Sequence, residues 1–476
     1  MIVASFVAFL VLFLGVGLAS AFRAKNSRTD YYLARSEVPP WLAALSAVAT
    51  NNSGYMFIGV IGFTYAAGLS AVWLMTGWIL GDLVASLFIH RRLREATGRT
   101  NEASFAAVLA TWNGEEFRTW RRIAAVIMIV FLGAYAAAQI SAGGKALQGV
   151  LGWNPRAGAV VVAGMVLAYS AAGGIRASIW TDAAQSFVML FAMSLLFAVG
   201  VLGRGGVGGA LDEMAAIPGF LDWFPSDLLF PGALGVALFV TGWMFAGFSV
   251  VGQPHVMVRF MALDSPSRIM RARGWYYGYF TLFYALATGV GMLSRLYLPD
   301  LGAGDPELAL PTMALELLPA VFVGMILAGI FAATMSTADS LVLSCSAALT
   351  HDLLPKRFES AWEMKTATGL VTLLALFIAL TENQSVFSLV ILAWSTLASA
   401  FAPLLTVYAL GRRIPEAGAI LAMAAGVGVA LGWRLLGWHA DVYEGMPGIL
   451  AGLAVAWTIS RPRPAPSASP QPSAGE

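Results

Sequence analysis

The chain contains 476 residues, of which 59% are hydrophobic and 11% are charged, whereas about a quarter of the residues in a soluble domain carry charge. This composition excludes a typical soluble protein and indicates a polytopic membrane protein. The net charge of +2 says little about partners; the composition indicates the lipid bilayer, and no nucleic acid is expected.

Apolar runs close to the roughly 20 residues that a helix needs to cross the hydrocarbon recur along the whole chain. They predict an all-α protein with about thirteen transmembrane helices. The expected spans are residues 2–22, 40–66, 70–89, 123–149, 157–173, 178–202, 230–253, 275–298, 312–350, 366–381, 386–410, 415–437 and 446–460.

The basic residues predict how these spans are oriented. Most of the 28 Lys and Arg residues fall in loops that face the cytoplasm if the N-terminus lies outside and the C-terminus inside. The first span has no positive residue before its apolar run and a basic cluster after it, which is typical of a retained helix rather than a cleaved signal peptide. We therefore expect a multi-pass protein of the cytoplasmic (inner) membrane.

We expect one part of the chain to be folded and another part to be disordered. Residues 1–460 contain all the predicted spans and are expected to form a single transmembrane domain. Residues 461–476 are rich in Pro, Ser and Ala, a composition that cannot bury enough apolar surface to fold, so we expect a disordered cytoplasmic tail.

The second span carries an unusual polar interruption. Between Ala44 and Gly68 the sequence reads ALSAVATNNSGYMFIGVIGFTYAAG, and Thr50 to Gly54 are five consecutive residues that favour turns and caps. Irregular backbone is tolerated at membrane depth only where protein or water surrounds it. A broken helix would offer carbonyl groups to a cation and amide groups to an anionic substrate. On this segment alone, a kink capped by Asn and Ser side chains explains the pattern equally well.

The ninth span adds a second polar feature. Ala333, Ser336, Thr337 and Ser340 are spaced i, i+3, i+4 and i+7, so they lie on one helix face. Hydroxyl and carbonyl oxygens are the hard ligands that an alkali cation requires. The alternative is a face of small residues for close helix packing, with the hydroxyl groups bonded to the preceding turn.

Carboxyl groups within the predicted spans favour the functional interpretation. Asp339 lies beside the hydroxyl face, and Asp182 lies near the inner end of the sixth span. An ionised group at the centre of a span costs about 2.5–3.5 kcal/mol on insertion scales, and such groups usually face a bundle interior. Neither an HExxH motif nor a P-loop occurs, so the sequence supports neither a zinc protease nor an ATP-driven pump.

The seventh span repeats the interruption of the second. It contains Gly247, Gly252 and Pro254 and lies five spans further along the chain. Transporters built from inverted repeats carry broken helices at corresponding positions of the two halves. The spacing therefore predicts a five-plus-five repeat with flanking helices.

Four motifs then carry a family resemblance. ATNNSG in the second span, GGIRASIWTDAAQ at the sixth, GQPHVMVRFMA after the seventh and AATMSTADS in the ninth resemble the sodium:solute symporter family, nearest its sodium/proline branch. The resemblance implies a LeuT-like core, with repeats over about residues 40–202 and 230–410, that works by alternating access. It also implies a non-enzymatic symporter that imports a small organic solute, such as proline, with Na⁺ as the coupling ion.

The resemblance further implies a set of site residues. Sodium would bind the carbonyl groups of Ala49, Asn52 and Ala333 and the hydroxyl groups of Ser336 and Thr337. A candidate second cation site comprises Asp182, Asp339 and Ser340. The substrate site would comprise Ser53, Gly54, Tyr55, Tyr135, Trp243 and Phe248.

Two departures from the proline branch leave the substrate open. Asn51 stands where that branch has an aspartate, and Tyr55 stands where it has a tryptophan. Other small amino acids and organic acids therefore remain alternatives, and protons could replace Na⁺ at Asp182 and Asp339. A transporter-like sensor or receptor is the rival function. The sequence does not fix the oligomeric state.

Overall fold

A computed structural model describes residues 1–21, 33–354, 361–381 and 385–462. Within these ranges the chain is helical except for connecting segments and two strands of two residues each. The helices of the first half are α1 (Ile2–Ala21), α2 (Pro40–Asn51), α3 (Ile61–Ala67), α4 (Val72–Phe88), α5 (His90–Thr100), α6 (Phe105–Thr111), α7 (Arg118–Leu151), α8 (Pro155–Leu202) and α9 (Gly206–Ala215).

The second half continues this pattern of long helices joined by short segments. Its helices are α10 (Gly232–Phe248), α11 (Pro254–Met261), α12 (Ile269–Tyr297), α13 (Ala309–Leu317), α14 (Ala320–Ala347), α15 (Ala361–Thr381), α16 (Val386–Ala409), α17 (Glu416–Leu435) and α18 (Gly445–Ile459). Strands β1 (Arg412–Arg413) and β2 (Arg461–Pro462) pair antiparallel. The predicted disordered tail thus begins with two ordered residues, and its remainder, 463–476, lies outside the described residues.

Length and apolar composition identify which helical segments are able to cross a membrane. Seven segments within the described residues meet both criteria, and four shorter apolar helices accompany them. The seven are Tyr55–Phe88, Arg118–Leu151, Ile175–Leu202, Gly232–Gly252, Ala320–Leu353, Val386–Ala409 and Glu416–Leu435. The count of thirteen spans and the orientation of the termini stay predictions.

Two expected boundaries are wrong. The spans predicted over 157–173 and 178–202 are joined in the single helix α8, since no proline after the first turn removes a backbone N–H. The span predicted over 312–350 is divided at Pro319 into α13 and α14. A proline cannot donate the helical hydrogen bond, so α14 begins directly after it.

Two helices form the centre of the bundle. Most residues in the apolar windows of α14 and α16 are buried, 83% and 94% respectively, against 33% for α17. Helix α14 packs on α1, α7 and α8, and α16 packs on α7, α17 and α18. The helix with the predicted hydroxyl face is therefore inside the protein, where hydroxyl groups meet other polar groups instead of lipid.

The second span is broken as predicted. Helix α2 ends at Asn51, and a π-helical turn over Tyr55–Val60 leads into α3. A Cβ atom on Gly54 would overlap the side chain of Thr334 on α14. Glycine therefore allows the break to lie directly against the central helix.

The seventh span is broken in the same manner. Helix α10 ends at Phe248, a 3-10 turn covers Ser249–Gly252, and Gln253 is extended before α11 begins at Pro254. A Cβ atom on Gly252 would overlap the backbone of Ala398 on α16. Each break thus contacts one of the two central helices: the second span contacts α14, and the seventh span contacts α16.

Candidate functional site

The end of α2 meets the hydroxyl face of α14. The Ser336 hydroxyl donates to the carbonyl oxygen of Ala49 at 3.2 Å, and it lies 3.5 Å from the carbonyl oxygen of Ala333. The Thr337 hydroxyl donates to the carbonyl oxygen of Thr50 at 2.8 Å. The structure therefore brings four of the five predicted sodium residues together and adds Thr50, which was not predicted.

Asn52, the fifth predicted sodium residue, caps α2. Its N–H donates to the carbonyl oxygen of Val48 at 2.8 Å. Its side chain is fully buried, and both polar atoms of that side chain lack a hydrogen-bond partner within the part of the chain that the structure describes. Unpaired buried amide groups are costly and are expected where a ligand binds.

The candidate second cation site contains an arginine that sequence reasoning missed. Asp182 accepts a hydrogen bond from the Ser46 hydroxyl at 2.6 Å and lies 3.3 Å from the guanidinium of Arg259. The same guanidinium donates to the Ser340 hydroxyl. Asp339 is buried on the same helix as Ser340. Asp182 and Ser340 are therefore brought together, with a protein cation already beside them.

The two clusters are continuous. The hydroxyl groups of Thr50 and Ser340 are 3.4 Å apart, and Ser340 donates to the carbonyl oxygen of Ser336 at 2.6 Å. A cavity of about 20 Å³ lies next to Arg259 and Ser340 and is also lined by Ser104. That volume is enough for one water molecule, so a chain of polar groups extends from the break in α2 toward the C-terminal half of α14.

The substrate residues predicted at the break contact helix α7. Gly54 N–H donates to the side-chain oxygen of Gln139 at 2.8 Å. The Tyr135 hydroxyl donates to the Ser53 hydroxyl at 3.2 Å, and the same oxygen accepts from the N–H of Tyr55 at 3.2 Å. Four of the predicted residues therefore form one connected group, with Gln139 as an additional member.

Aromatic rings surround this group. Trp394 of α16 and His255 of α11 both lie edge-on to Tyr135, at centroid distances of 6.2 and 5.4 Å. On the other side, Tyr55 stacks on Phe387 at 5.3 Å. These rings provide apolar walls around the polar groups of the break, the usual composition of a small-molecule site.

The two approximate candidates in the seventh span occupy different positions. Trp243 reaches the aromatic wall through Phe63, whose ring is 6.1 Å from Trp243 and 5.0 Å from Phe387. Phe248 instead packs beside Phe245 on its own helix, and its backbone lies against Gly81 of α4. Trp243 is thus the better placed of the two.

Several buried polar atoms near the break have no partner among the described residues. They are the Tyr55 hydroxyl, the side-chain nitrogen of Gln139, the side-chain oxygen of Gln253 and both ring nitrogens of His255. Gln139 follows Tyr135 by four residues and so shares its helix face. That spacing could have identified it, whereas no local pattern singled out His255 or Gln253.

The sequence is similar to known transporters over nearly its whole length. Residues 31–426 match the model of the sodium:solute symporter family. The sodium/proline symporter of Escherichia coli is 30% identical over 469 residues, which cover 95% of this chain and 91% of that protein. The high-affinity proline transporter PutP of Bacillus subtilis is 29% identical over 458 residues, 94% of this chain and 95% of that protein.

Solved structures show the same fold. A Na⁺-coupled sialic acid symporter, in a substrate-bound outward-open state, aligns with a TM-score of 0.78 at 19% identity, over 98% of this chain and 99% of that chain. Mhp1, a nucleobase-cation-symport-1 family transporter in a closed conformation, aligns with a TM-score of 0.56 at 14% identity, over 90% of this chain and 95% of that chain. The expected LeuT-like transporter fold is confirmed.

Proposed function

This chain belongs to the sodium:solute symporter family, and from this premise we propose that it is an inner-membrane symporter that couples Na⁺ entry to import of a small organic solute, with proline as the first candidate. The family relatives are transporters, so no catalytic residue is assigned. The single observation that carries the proposal is the contact between the broken end of α2 and the hydroxyl groups of Ser336 and Thr337.

The proposed sodium site consists of oxygen atoms that already lie close together. The carbonyl groups at the end of α2 lack helical partners because the helix stops there. Ser336 and Thr337 donate to two of them, and rotation of each hydroxyl group would turn its lone pairs toward a cation. Ala49, Ala333, Ser336 and Thr337 would bind Na⁺, together with the carbonyl group of Asn52.

A second cation at Asp182, Asp339 and Ser340 would have to displace Arg259. The guanidinium lies 3.3 Å from the Asp182 carboxyl group, and two cations sharing one buried carboxyl group repel each other strongly. We therefore propose that this site accepts Na⁺ or a proton only in a conformation in which Arg259 has moved away from Asp182.

The solute would bind on the other side of the break. Backbone N–H groups at the start of a helix attract anions, so the carboxylate of an amino acid would approach Ser53, Gly54 and Tyr55. Tyr135 and Trp243 would contact the rest of the solute, with Phe248 at the edge of the site. A small ring such as that of proline suits walls made of tryptophan and tyrosine.

The coupling is thermodynamically sufficient. One Na⁺ ion that moves inward through a membrane potential of 100 mV releases about 2.3 kcal/mol. That free energy sustains roughly a fifty-fold solute gradient before any Na⁺ concentration gradient is added. Binding of Na⁺ between α2 and α14 would favour the outward-open state that binds the solute, so each ligand would raise the affinity for the other.

A ligand screen tests the choice of solute. The thermal stability of the purified protein is measured with a panel of amino acids and organic acids, each in NaCl and in choline chloride. Proline is expected to raise the melting temperature in NaCl and to have little effect in choline chloride. Stabilisation by an organic acid and not by proline would contradict the assignment of proline. Equal stabilisation in both salts would contradict sodium coupling.

A further inference from the structure

A further carboxyl group is buried within the helix bundle outside the proposed sites. Asp82 lies on α4, two turns before that helix ends at Phe88, and its side chain is fully buried. A carboxyl group inside a membrane bundle requires compensation by a partner or a ligand. None of the functions proposed above uses Asp82.

This carboxyl group lacks ordinary partners. Among the described residues, neither of its oxygen atoms makes a hydrogen bond of ordinary geometry. The hydroxyl groups of Tyr276 and Tyr277 on α12 reach it only as weak polar contacts, and the guanidinium of Arg273, one turn away on the same helix, attracts it through space. The Tyr277 hydroxyl likewise makes no hydrogen bond of ordinary geometry among the described residues.

Arg273 does not make a close ion pair with Asp82. The guanidinium of Arg273 donates instead to the carbonyl oxygen of Ser86 and to the sulfur of Met270. His90, which begins α5, is fully buried, and burial with a smaller effect of Arg273 lowers its pKa to about 3. His90 is therefore uncharged at neutral pH.

A hydrogen bond links Asp82's surroundings to the break in α2. Asn51 donates from its side-chain nitrogen to the Tyr276 hydroxyl at 2.8 Å, and its buried side-chain oxygen has no hydrogen-bond partner among the described residues. Asn51 directly follows Thr50, whose carbonyl oxygen accepts from Thr337. A change at Asp82 can therefore reach the proposed sodium site through Tyr276 and Asn51.

We propose that Asp82, with the oxygen atoms of Asn51, Tyr276 and Tyr277, forms an additional binding site for a hard monovalent cation, either Na⁺ or a proton. A carboxylate with hydroxyl and amide oxygens is a donor set for such cations. Bound cation neutralises the buried charge and fixes Tyr276, which in turn positions Asn51 at the end of α2. The site adds to the proposed sodium site at Ser336 and does not replace it.

The test compares Asp82→Asn with Asp212→Asn, which removes an exposed carboxyl group of α9. The half-saturating Na⁺ concentration for thermal stabilisation of the purified protein is measured between pH 6 and 9. If the site binds Na⁺, Asp82→Asn raises that concentration at least about tenfold, or lowers the steepness of the titration, at every pH. If it binds a proton, the wild-type value varies with pH and the Asp82→Asn value does not.

A second variant keeps the test decisive if Asp82→Asn does not fold. Tyr276→Phe retains the carboxyl group and removes the hydroxyl group that Asn51 contacts, so a smaller change of the same kind is expected. If the folded variants show the same Na⁺ titrations and pH profiles as the wild type, the proposal is wrong. The same assay on Ser336→Ala separates the two sites. If Asp82→Asn changes the Na⁺ titration and Ser336→Ala does not, the result contradicts the site at α2 and supports the site at Asp82.

Discussion

At the scale of single residues, we propose that the hydroxyl groups of Ser336 and Thr337 on α14 determine sodium affinity. Ser336→Ala and Thr337→Val remove the oxygens that contact the carbonyl groups of Ala49 and Thr50. Each change is expected to raise the Na⁺ concentration for half-maximal uptake about tenfold, the effect of losing roughly 1.4 kcal/mol of cation binding. The uptake of radiolabelled solute, measured over a range of Na⁺ concentrations, gives this half-maximal concentration.

A matched control lies on the same helix. Thr334→Val removes a hydroxyl group that donates within α14, to the carbonyl oxygen of Ile330 at 3.1 Å, while it keeps the methyl group beside Gly54. The sodium dependence of this variant should equal that of the wild type. If all three variants behave alike, the face of α14 serves packing and the assignment is wrong.

Gln139 is expected to determine solute affinity. Gln139→Ala leaves the N–H of Gly54 without its side-chain acceptor at 2.8 Å and removes the side-chain nitrogen that has no partner among the described residues and is free to donate to the solute. We expect the KM for the solute to rise by a factor of about 5–30, from the 1–2 kcal/mol cost of an unpaired buried group. Gln148→Ala, an exposed glutamine on the same helix, should leave the KM unchanged. Equal KM values in the two variants would remove Gln139 from the site.

His90 predicts a pH dependence of stability. Burial lowers its pKa from 6.5 to about 3, so the unfolded chain binds a proton between these pH values while the folded protein does not. Stability therefore falls as the pH falls through this window, by up to about 1.4 kcal/mol per pH unit. His90→Phe should retain the stacking on Phe260, at 4.0 Å, and flatten the profile. Parallel thermal-unfolding profiles for wild type and variant between pH 4 and 7 would contradict this account.

The residues that sequence reasoning found and missed differ in a physical respect. Ser336 and Thr337 are found because their spacing places two hydroxyl groups on one helix face, a local property. Arg259 is missed as a neighbour of Asp182 because 77 residues separate them in the chain. Helices α8 and α11 both pack on α2 and α14. This shared packing brings the two charges together, and no local pattern encodes it.

At the scale of helices, an ionic cluster joins the segment before α13 to two others. Lys145 of α7 lies 2.7 Å from Asp305 and 2.6 Å from Glu307. Glu307 also accepts from the Ser385 hydroxyl at 2.6 Å and from the N–H of Phe387 at 3.0 Å, at the first turn of α16. A carboxylate at a helix N-terminus compensates the free N–H groups and the helix dipole. The cluster therefore stabilises the packing of three elements.

A double-mutant cycle measures this cluster. Lys145→Met should destabilise the protein by about 2–3 kcal/mol, because it leaves the largely buried carboxylate of Glu307 without its cation. Glu307→Gln should destabilise the protein by less, because Lys145 keeps Asp305 at 2.7 Å. The double variant should lose clearly less than the sum. Glu95→Gln, which breaks the exposed pair of Arg91 and Glu95, should change stability by less than about 1 kcal/mol. Strict additivity in thermal unfolding would show that Lys145 and Glu307 act independently.

The helices also show which parts of the fold the sequence could predict. The breaks in the second and seventh spans are predicted because glycine, proline and cap-forming residues interrupt apolar runs. The joining of two spans into α8 is not, since Gly173 and Gly174 suggest a turn but do not require one. Glycine lowers helix stability by only about 1 kcal/mol, so the two glycines do not by themselves end the helix.

At the scale of the whole molecule, the two breaks and the two central helices define one functional unit. The end of α2 contacts α14, and the break before α11 contacts α16, so cation and solute would bind where four elements meet. A movement of the outer helices relative to this centre would open the site to either side. Composition alone predicted a membrane protein. The contact of each break with a central helix could be identified only from the folded structure.

Accumulation of solute against a gradient tests the central claim most directly. Purified protein is reconstituted into liposomes, and uptake of radiolabelled proline, or of the solute that stabilises the protein best, is followed under an inward Na⁺ gradient and an inside-negative potential. We predict a transient internal concentration well above the external one, which disappears when choline replaces Na⁺ and is weakened in Ser336→Ala. Equal internal and external concentrations under every gradient, as for a receptor or a channel, would contradict sodium-coupled symport.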